Sequence, residues 1–172
     1  MAKVLIMASD GFEQSELFVP LEKLKDGGHH VDIAAPEAGE ITAWDKDDWG
    51  KSVTANKAIS DVDAADYDAL VLPGGVINPD NLRTDKTAIA LIRSFADAEK
   101  PVAAICHAPW LLAEAGLVQG RRLTSFESIR TDMKNAGAEV VEEKVVVDRG
   151  IITSRKPDDL DAFVGAIEDA LR

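Results

Sequence analysis

The chain has 172 residues, 46% apolar, 29% charged and only 5% aromatic, which suits one compact domain whose core rests on Val, Ile, Leu and Ala. Its formal charge of −12 argues against nonspecific binding to nucleic acid phosphates or an anionic membrane surface, and serves ordinary solubility. A single cysteine excludes an internal disulfide, and three histidines without a second cysteine do not make a zinc site, so neither a metal nor another cofactor is expected.

The chain opens with Lys3 and a short apolar run, Val4 to Ala8, broken by Ser9-Asp10-Gly11. That run is shorter than a secretory core and far shorter than the ~20 residues that span a bilayer, so the expected location is the cytoplasm. It reads instead as a buried strand, KVLIMA, followed by a helix from about Glu13 to Asp26 that Gly27-Gly28 ends. HVDIAAP (30–36) is the next strand, and ITAWDKDDWGKSVTANKAIS (41–60) looks like an exposed hairpin or excursion. ALVLPGG (69–75) is a third buried strand with an abrupt glycine stop. TDKTAIALIRSFADAEK (84–100) carries Ile89, Ile92 and Phe95 or Ala96 at helical spacing, PVAAIC (101–106) is a fourth strand, and APWLLAEAG (108–116) is a helix closed by glycine. EVVEEKVVVDRGIITSR (139–155) carries short strands around Arg149-Gly150. Pro157 to Leu171 is a terminal amphipathic helix with Leu160, Phe163, Val164, Ile167 and Leu171 on its apolar side. No repeat, low-complexity run or linker interrupts the pattern, so residues 1–172 are expected to form a single domain. Repeated strand–helix alternation predicts an α/β fold, a mostly parallel sheet with helices on both faces.

In such a sheet, ligands gather at the carboxyl ends of the strands. DGFEQSE, PGG and CHAPW all fall at strand ends, so groups distant in sequence are expected to converge in one crevice. Cys106 stands where a strand stops and a helix starts, the geometry of a nucleophile elbow. The N–H groups and dipole of the following helix are expected to favour its thiolate and lower its pKa. The backbone N–H groups of His107 and Gly75 form a candidate oxyanion hole. The plainer reading, a small buried hydrophobe, fits most free cysteines but not this position beside a histidine. Adjacent residues at an elbow point in different directions, so the His107 ring need not reach the sulfur. Glu13 and Glu16 share a face of the first helix turn, where they complement the helix dipole. Glu16, one turn deeper, is costly to bury as an anion, and beside a thiolate it would be protonated and donate to sulfur. His29 and His30, at a helix exit, read as structural.

The strings KVLIMASDGFEQSEL, GHHVDIAAP, DYDALVLPGG, KPVAAICHAPWLLAEAG and TSFESIRTDMKNAGAEVV together resemble the DJ/PfpI superfamily, within it the PfpI-type intracellular proteases and general stress proteins. The likeness covers nearly the whole chain. It implies a flavodoxin-like three-layer α/β/α sandwich, related to the class I glutamine amidotransferases, with Cys106 as nucleophile, Glu16 as the near carboxylate, and the N–H groups of Gly75 and His107 as oxyanion donors. In the protease branch, a glutamate from a neighbouring subunit orients the histidine. The matching residue here is Asp80, one methylene shorter, in a segment one residue longer. Ala108 stands where the family usually has glycine. The resemblance also implies a homodimer or higher oligomer with the active site at its interface.

Two functions are expected to compete. The first is a Cys106-dependent hydrolase or lyase, an intracellular cysteine peptidase or a glyoxalase or deglycase, whose thiolate attacks the carbonyl of a small molecule or peptide while His107 or Glu16 moves the proton. The second is a redox-sensing stress protein or holdase in which Cys106 is oxidised without turnover. A glutamine amidotransferase needs a histidine near the C-terminus, and none follows His107.

Overall fold

The computed structural model describes all residues, 1–172. In chain order its elements are β1 (Lys3–Met7), β2 (Phe12–Glu13), α1 (Gln14–Asp26), β3 (His30–Ala35), β4 (Gly39–Asp45), β5 (Asp48–Ala55), β6 (Lys57–Ala58), β7 (Ala69–Leu72), α2 (Ile77–Leu82) and α3 (Lys86–Asp97). There follow β8 (Val102–Ile105), α4 (Pro109–Glu114), β9 (Arg122–Leu123), α5 (Arg130–Asn135), β10 (Glu139–Val140), β11 (Val145–Asp148), β12 (Ile151–Ser154) and α6 (Leu160–Ala170).

Seven strands form the main sheet in the order β11-β12-β8-β7-β1-β3-β6. All pairings are parallel except the β11–β12 hairpin, turned at Arg149-Gly150, both of which have positive φ. The central strands are apolar on both sides because both faces are covered. Val4, Ile6, Ala69, Val71, Ala103 and Ile105 face one core with Leu17, Leu21 and Leu24 of α1 and Phe163 and Ile167 of α6. Leu5, Met7, Leu70, Leu72, Val102 and Ala104 face the other, with Ile89, Ile92 and Phe95 of α3 and Leu111 and Leu112 of α4. This is the three-layer sandwich that the alternation of strands and helices predicts.

Local chemistry sets the ends of these elements. Asp85 caps α3 by accepting from the N–H groups of Thr87 and Ala88 at 3.0 and 3.1 Å. The stretch 41–60 does contain a hairpin: β4 and β5 pair antiparallel, and β4 also pairs with β2. No helix is long and apolar enough to cross a membrane. Two helices escaped the sequence reading: α2, directly after the Pro73-Gly74-Gly75 turn, and α5, which follows a 3-10 turn at Glu127–Ile129. Both are only six residues long, too short for an apolar period to emerge.

The order of strands decides where the site lies. β7 sits between β1 and β8, so the segments leaving β1, β7 and β8 meet at one end of the sheet. Buried Asn78 fastens two of them together. Its Oδ1 accepts from the Ser9 N–H at 2.8 Å, and its Nδ2 donates to the carbonyls of Pro73 and Gly74 at 3.0 and 3.3 Å.

Candidate active site

Cys106 is the first residue beyond β8 and has φ 67°, a left-handed conformation that costs a non-glycine residue free energy and marks sites where geometry is imposed. Bonds at both of its backbone ends hold it there: its N–H donates to Ser154 at 3.1 Å, and its carbonyl accepts from the N–H of Phe126 at 2.8 Å. The strained turn delivers the side chain above the sheet edge, at 6% exposure.

Gly75 also lies in the left-handed region, with φ 81°, and a Cβ there would stand 2.7 Å from the Gly11 carbonyl and 2.8 Å from the Glu13 nitrogen. Only glycine fits, and its backbone N–H and that of His107 both favour ionisation of the Cys106 sulfur. Glu16, fully buried on the first turn of α1, accepts the Gly74 N–H through Oε1 at 3.0 Å. Its Oε2 makes no hydrogen bond of normal geometry, although the Cys106 thiol is close enough to influence the titration of the carboxyl.

The electrostatics correct one expectation. Burial, and then the charge of Glu16, push the Cys106 thiol up, against the pull of the Gly75 and His107 N–H groups. The expected lowering by the helix is outweighed because α4 has only six residues while the sulfur is almost out of water. Burial, and then the charge of Glu13, raise Glu16 to about 8, so its carboxyl holds a proton at neutral pH, through these causes and not through the repulsion by a thiolate that the sequence suggested. Glu13 is itself raised by burial and by Asp45.

The sequence leaves the direction of the His107 ring open. Its Nδ1 lies 3.1 Å from the Cys106 sulfur, so the ring does reach its chain neighbour. The unusual backbone at Cys106 turns the two side chains toward each other. The ring stacks on Phe126 at 4.7 Å and meets the Trp110 edge at 5.2 Å. Burial lowers its pKa, leaving a neutral imidazole that can accept a proton. With Nδ1 accepting from the thiol, Nε2 carries the ring hydrogen toward Ser128 Oγ at 3.1 Å. Ser128 is the orienting partner within the chain, and sequence reasoning missed it. The only available sign was its place inside the TSFESIR string.

Of the residues singled out from sequence, Cys106, His107, Glu16 and Gly75 therefore meet at one point. Asp80 does not join them within this chain: it is exposed on the first turn of α2. His29 and His30 lie elsewhere and are tied down structurally, to Ala2 and Glu168 and to Asp32 respectively. No cluster of three or more His, Cys, Asp or Glu side chains is arranged to hold a metal ion.

Known proteins share this architecture. A model of the DJ-1/PfpI family matches residues 2–170. A protein of Thermococcus kodakarensis named a deglycase is 43% identical over 99% of this chain and 99% of its own length. General stress protein 18 of Bacillus subtilis is 41% identical over 94% of this chain and 92% of its own. Among solved structures, a two-domain protein of Anabaena variabilis, with domains like this family and like ferritin, superimposes with a TM-score of 0.93 at 34% identity. The match covers 99% of this chain and 48% of that one.

Proposed function

This chain belongs to the DJ-1/PfpI family, and from that premise we propose that it is a cytoplasmic stress enzyme whose Cys106 attacks the carbonyl carbon of small reactive substrates, in the manner of a glyoxalase or deglycase. The observation that carries the reading is the 3.1 Å contact between Cys106 Sγ and His107 Nδ1, beside the backbone N–H groups of Gly75 and His107, which favour a negative charge there.

The resting thiol is protonated, so attack needs a base. Neutral His107 takes the thiol proton on Nδ1 as the S–C bond forms, which spares the site a free buried thiolate. The carbonyl π pair moves to oxygen, where the N–H groups of Gly75 and His107 stabilise the developing charge. The proton then passes from His107 to that oxygen, completing a hemithioacetal with atoms and charge balanced. Protonated Glu16 supplies a hydrogen-bond donor beside the sulfur instead of a second negative charge. Ser128 holds the imidazole in the tautomer this sequence of steps requires.

The depth of Cys106 supports a small carbonyl compound over a peptide, since a folded polypeptide segment cannot thread to a sulfur at 6% exposure. It also supports turnover over redox sensing, because sensors need a thiol that ionises readily in water. A cytoplasmic setting keeps a lone thiol reduced. We include in the proposal a homodimer in which a second copy brings its Asp80 toward His107. A clear drop in rate for Asp80→Ala supports that arm, and indifference removes it.

The test compares methylglyoxal consumption, and release of N-acetylcysteine from its methylglyoxal hemithioacetal, for wild type and Cys106→Ala. Both reactions should fall to the uncatalysed rate in the variant. Wild-type rates in Cys106→Ala would end the proposal.

A further inference from the structure

Beside the catalytic turn lies a second feature with its own chemistry. A cavity of about 70 Å³ is lined by Phe126, Glu127, Arg130, Glu142, Arg155 and Lys156. It adjoins the site through two residues. Phe126 forms its wall and stacks on the His107 ring, and Arg155 directly follows Ser154, whose carbonyl holds the Cys106 N–H. The cavity has room for ordered water or for one carboxylate group.

Its polar groups are poorly matched to one another. Arg155 is anchored through Nε and Nη2 to buried Asp159 at 2.8 and 3.0 Å, which leaves Nη1 directed at Glu142 Oε1, 3.8 Å away. Arg130 Nη2 is 3.5 Å from the same oxygen, and Arg130 Nε is buried with no acceptor at all. Two guanidinium groups thus converge on one carboxylate oxygen without closing a good hydrogen bond to it. The Glu142 side chain is 69% exposed, so ion pairs this long contribute little to stability. An orphaned buried donor costs free energy, and with Asp159 already committed to Arg155 the cavity lining itself sets Arg130, Arg155 and Lys156 against Glu127 and Glu142.

We propose that this cavity is a subsite for the carboxylate of the carbonyl substrate, with Glu142 as a resident carboxylate that the substrate displaces. The inference deepens the carbonyl reading above and rests on it. A bound carboxylate would accept from Arg130 Nε and from the free arms of both arginines, bonds stronger than neutral ones. It would tether an α-oxo acid, or an adduct of an amino acid that keeps its carboxylate, with the reacting carbonyl toward Cys106. Neutral aldehydes would gain nothing from it.

The test needs no turnover. Cys106 is alkylated with iodoacetate and with iodoacetamide, which differ only in carboxylate against amide, and with 3-iodopropionate and 3-iodopropanamide, one carbon longer. The readout is the ratio of anionic to neutral rate. Arg130→Gln should lower that ratio about tenfold for one of the pairs, the effect of losing a single strong hydrogen bond. Glu142→Gln should raise it, because the competing carboxylate is gone. Opposite changes in the two variants support the subsite. Ratios within about twofold of wild type in Glu142→Gln, an exposed position that leaves folding intact, overturn it. A protein that shows the opposed ratios but no turnover of methylglyoxal would retain the subsite and lose the carbonyl reading.

Discussion

Replacing Glu16 by Gln tests the central electrostatic feature of the site, because it keeps the side chain's shape and removes its ability to ionise. In the folded protein the carboxyl holds its proton up to about 8, against an ordinary value of 4.5, with burial as the main cause. In the unfolded chain the proton leaves near 4.5. Between those values the unfolded chain binds fewer protons than the folded one, so raising the pH favours unfolding. The stability associated with protonated Glu16 is complete below about pH 4.5 and is lost as pH rises toward 8. A displacement from 4.5 to about 8, at about 1.4 kcal/mol per pKa unit, sets an upper limit of about 5 kcal/mol. The amide of the Glu16→Gln variant has no such dependence. Urea denaturation of both proteins at a series of pH values should show wild type losing ground to Glu16→Gln, steadily from about pH 4.5 to 8 and level beyond. A difference that stays flat across that interval, or grows in favour of wild type, would refute the reasoning. The same substitution removes the charge that opposes the thiolate, so alkylation of Cys106 above pH 8 should be faster in Glu16→Gln.

Further outcomes follow from particular contacts. Gly75→Ala forces a Cβ to within 2.7 Å of the Gly11 carbonyl at a positive φ, so we expect a loss of about 2 kcal/mol or more in stability. It should also lower kcat by about 10²-fold through displacement of an oxyanion donor, measured with methylglyoxal. Ser128→Ala removes the oxygen 3.1 Å from His107 Nε2. It should lower kcat and change its pH profile while KM moves little, and Ser128→Thr should restore the profile. Tyr67→Phe concerns stability only. Buried Asp32 is held at about 2 because hydrogen bonds from Asn56, Tyr67 and His30 overcome the cost of its burial, and the Tyr67 hydroxyl donates at 2.7 Å. Its loss should cost about 1–2 kcal/mol at pH 7. Because a depressed carboxylate contributes in full above its unfolded value and loses that contribution as pH falls to its folded one, the difference should shrink as pH falls from 3.8 toward 2, as acid denaturation would measure.

Much of this molecule is legible along the chain. Alternating apolar strands and amphipathic helices report which faces are covered, and that is a property of local periodicity. It yields the parallel sheet, both packed layers and the terminal helix. Strand ends identify Cys106, Gly75 and Glu16 together, because topology sends all three to one end of the sheet. The protonated state of Glu16 follows from placing a carboxyl where water cannot reach it. Other properties arise only when distant segments pack. Burial of the sulfur depends on the turn after β7 and Glu16 of α1 packing beside Cys106, and it reverses the direction of the thiol's pKa from that suggested by the helix dipole. The ring of His107 reaches Cys106 because backbone bonds to Ser154 and Phe126 pin φ at 67°, a rotation that no residue pattern encodes. Ser128 meets that ring across 21 positions of sequence. Arg130 and Arg155 face each other only because the helix after β9 folds back beside the end of β12. Asp80 belongs to the same class: sequence places it after the glycine turn, and the fold of one chain leaves it in solvent. Periodicity reports what each segment buries, whereas proton affinities and side-chain partners depend on which segments meet.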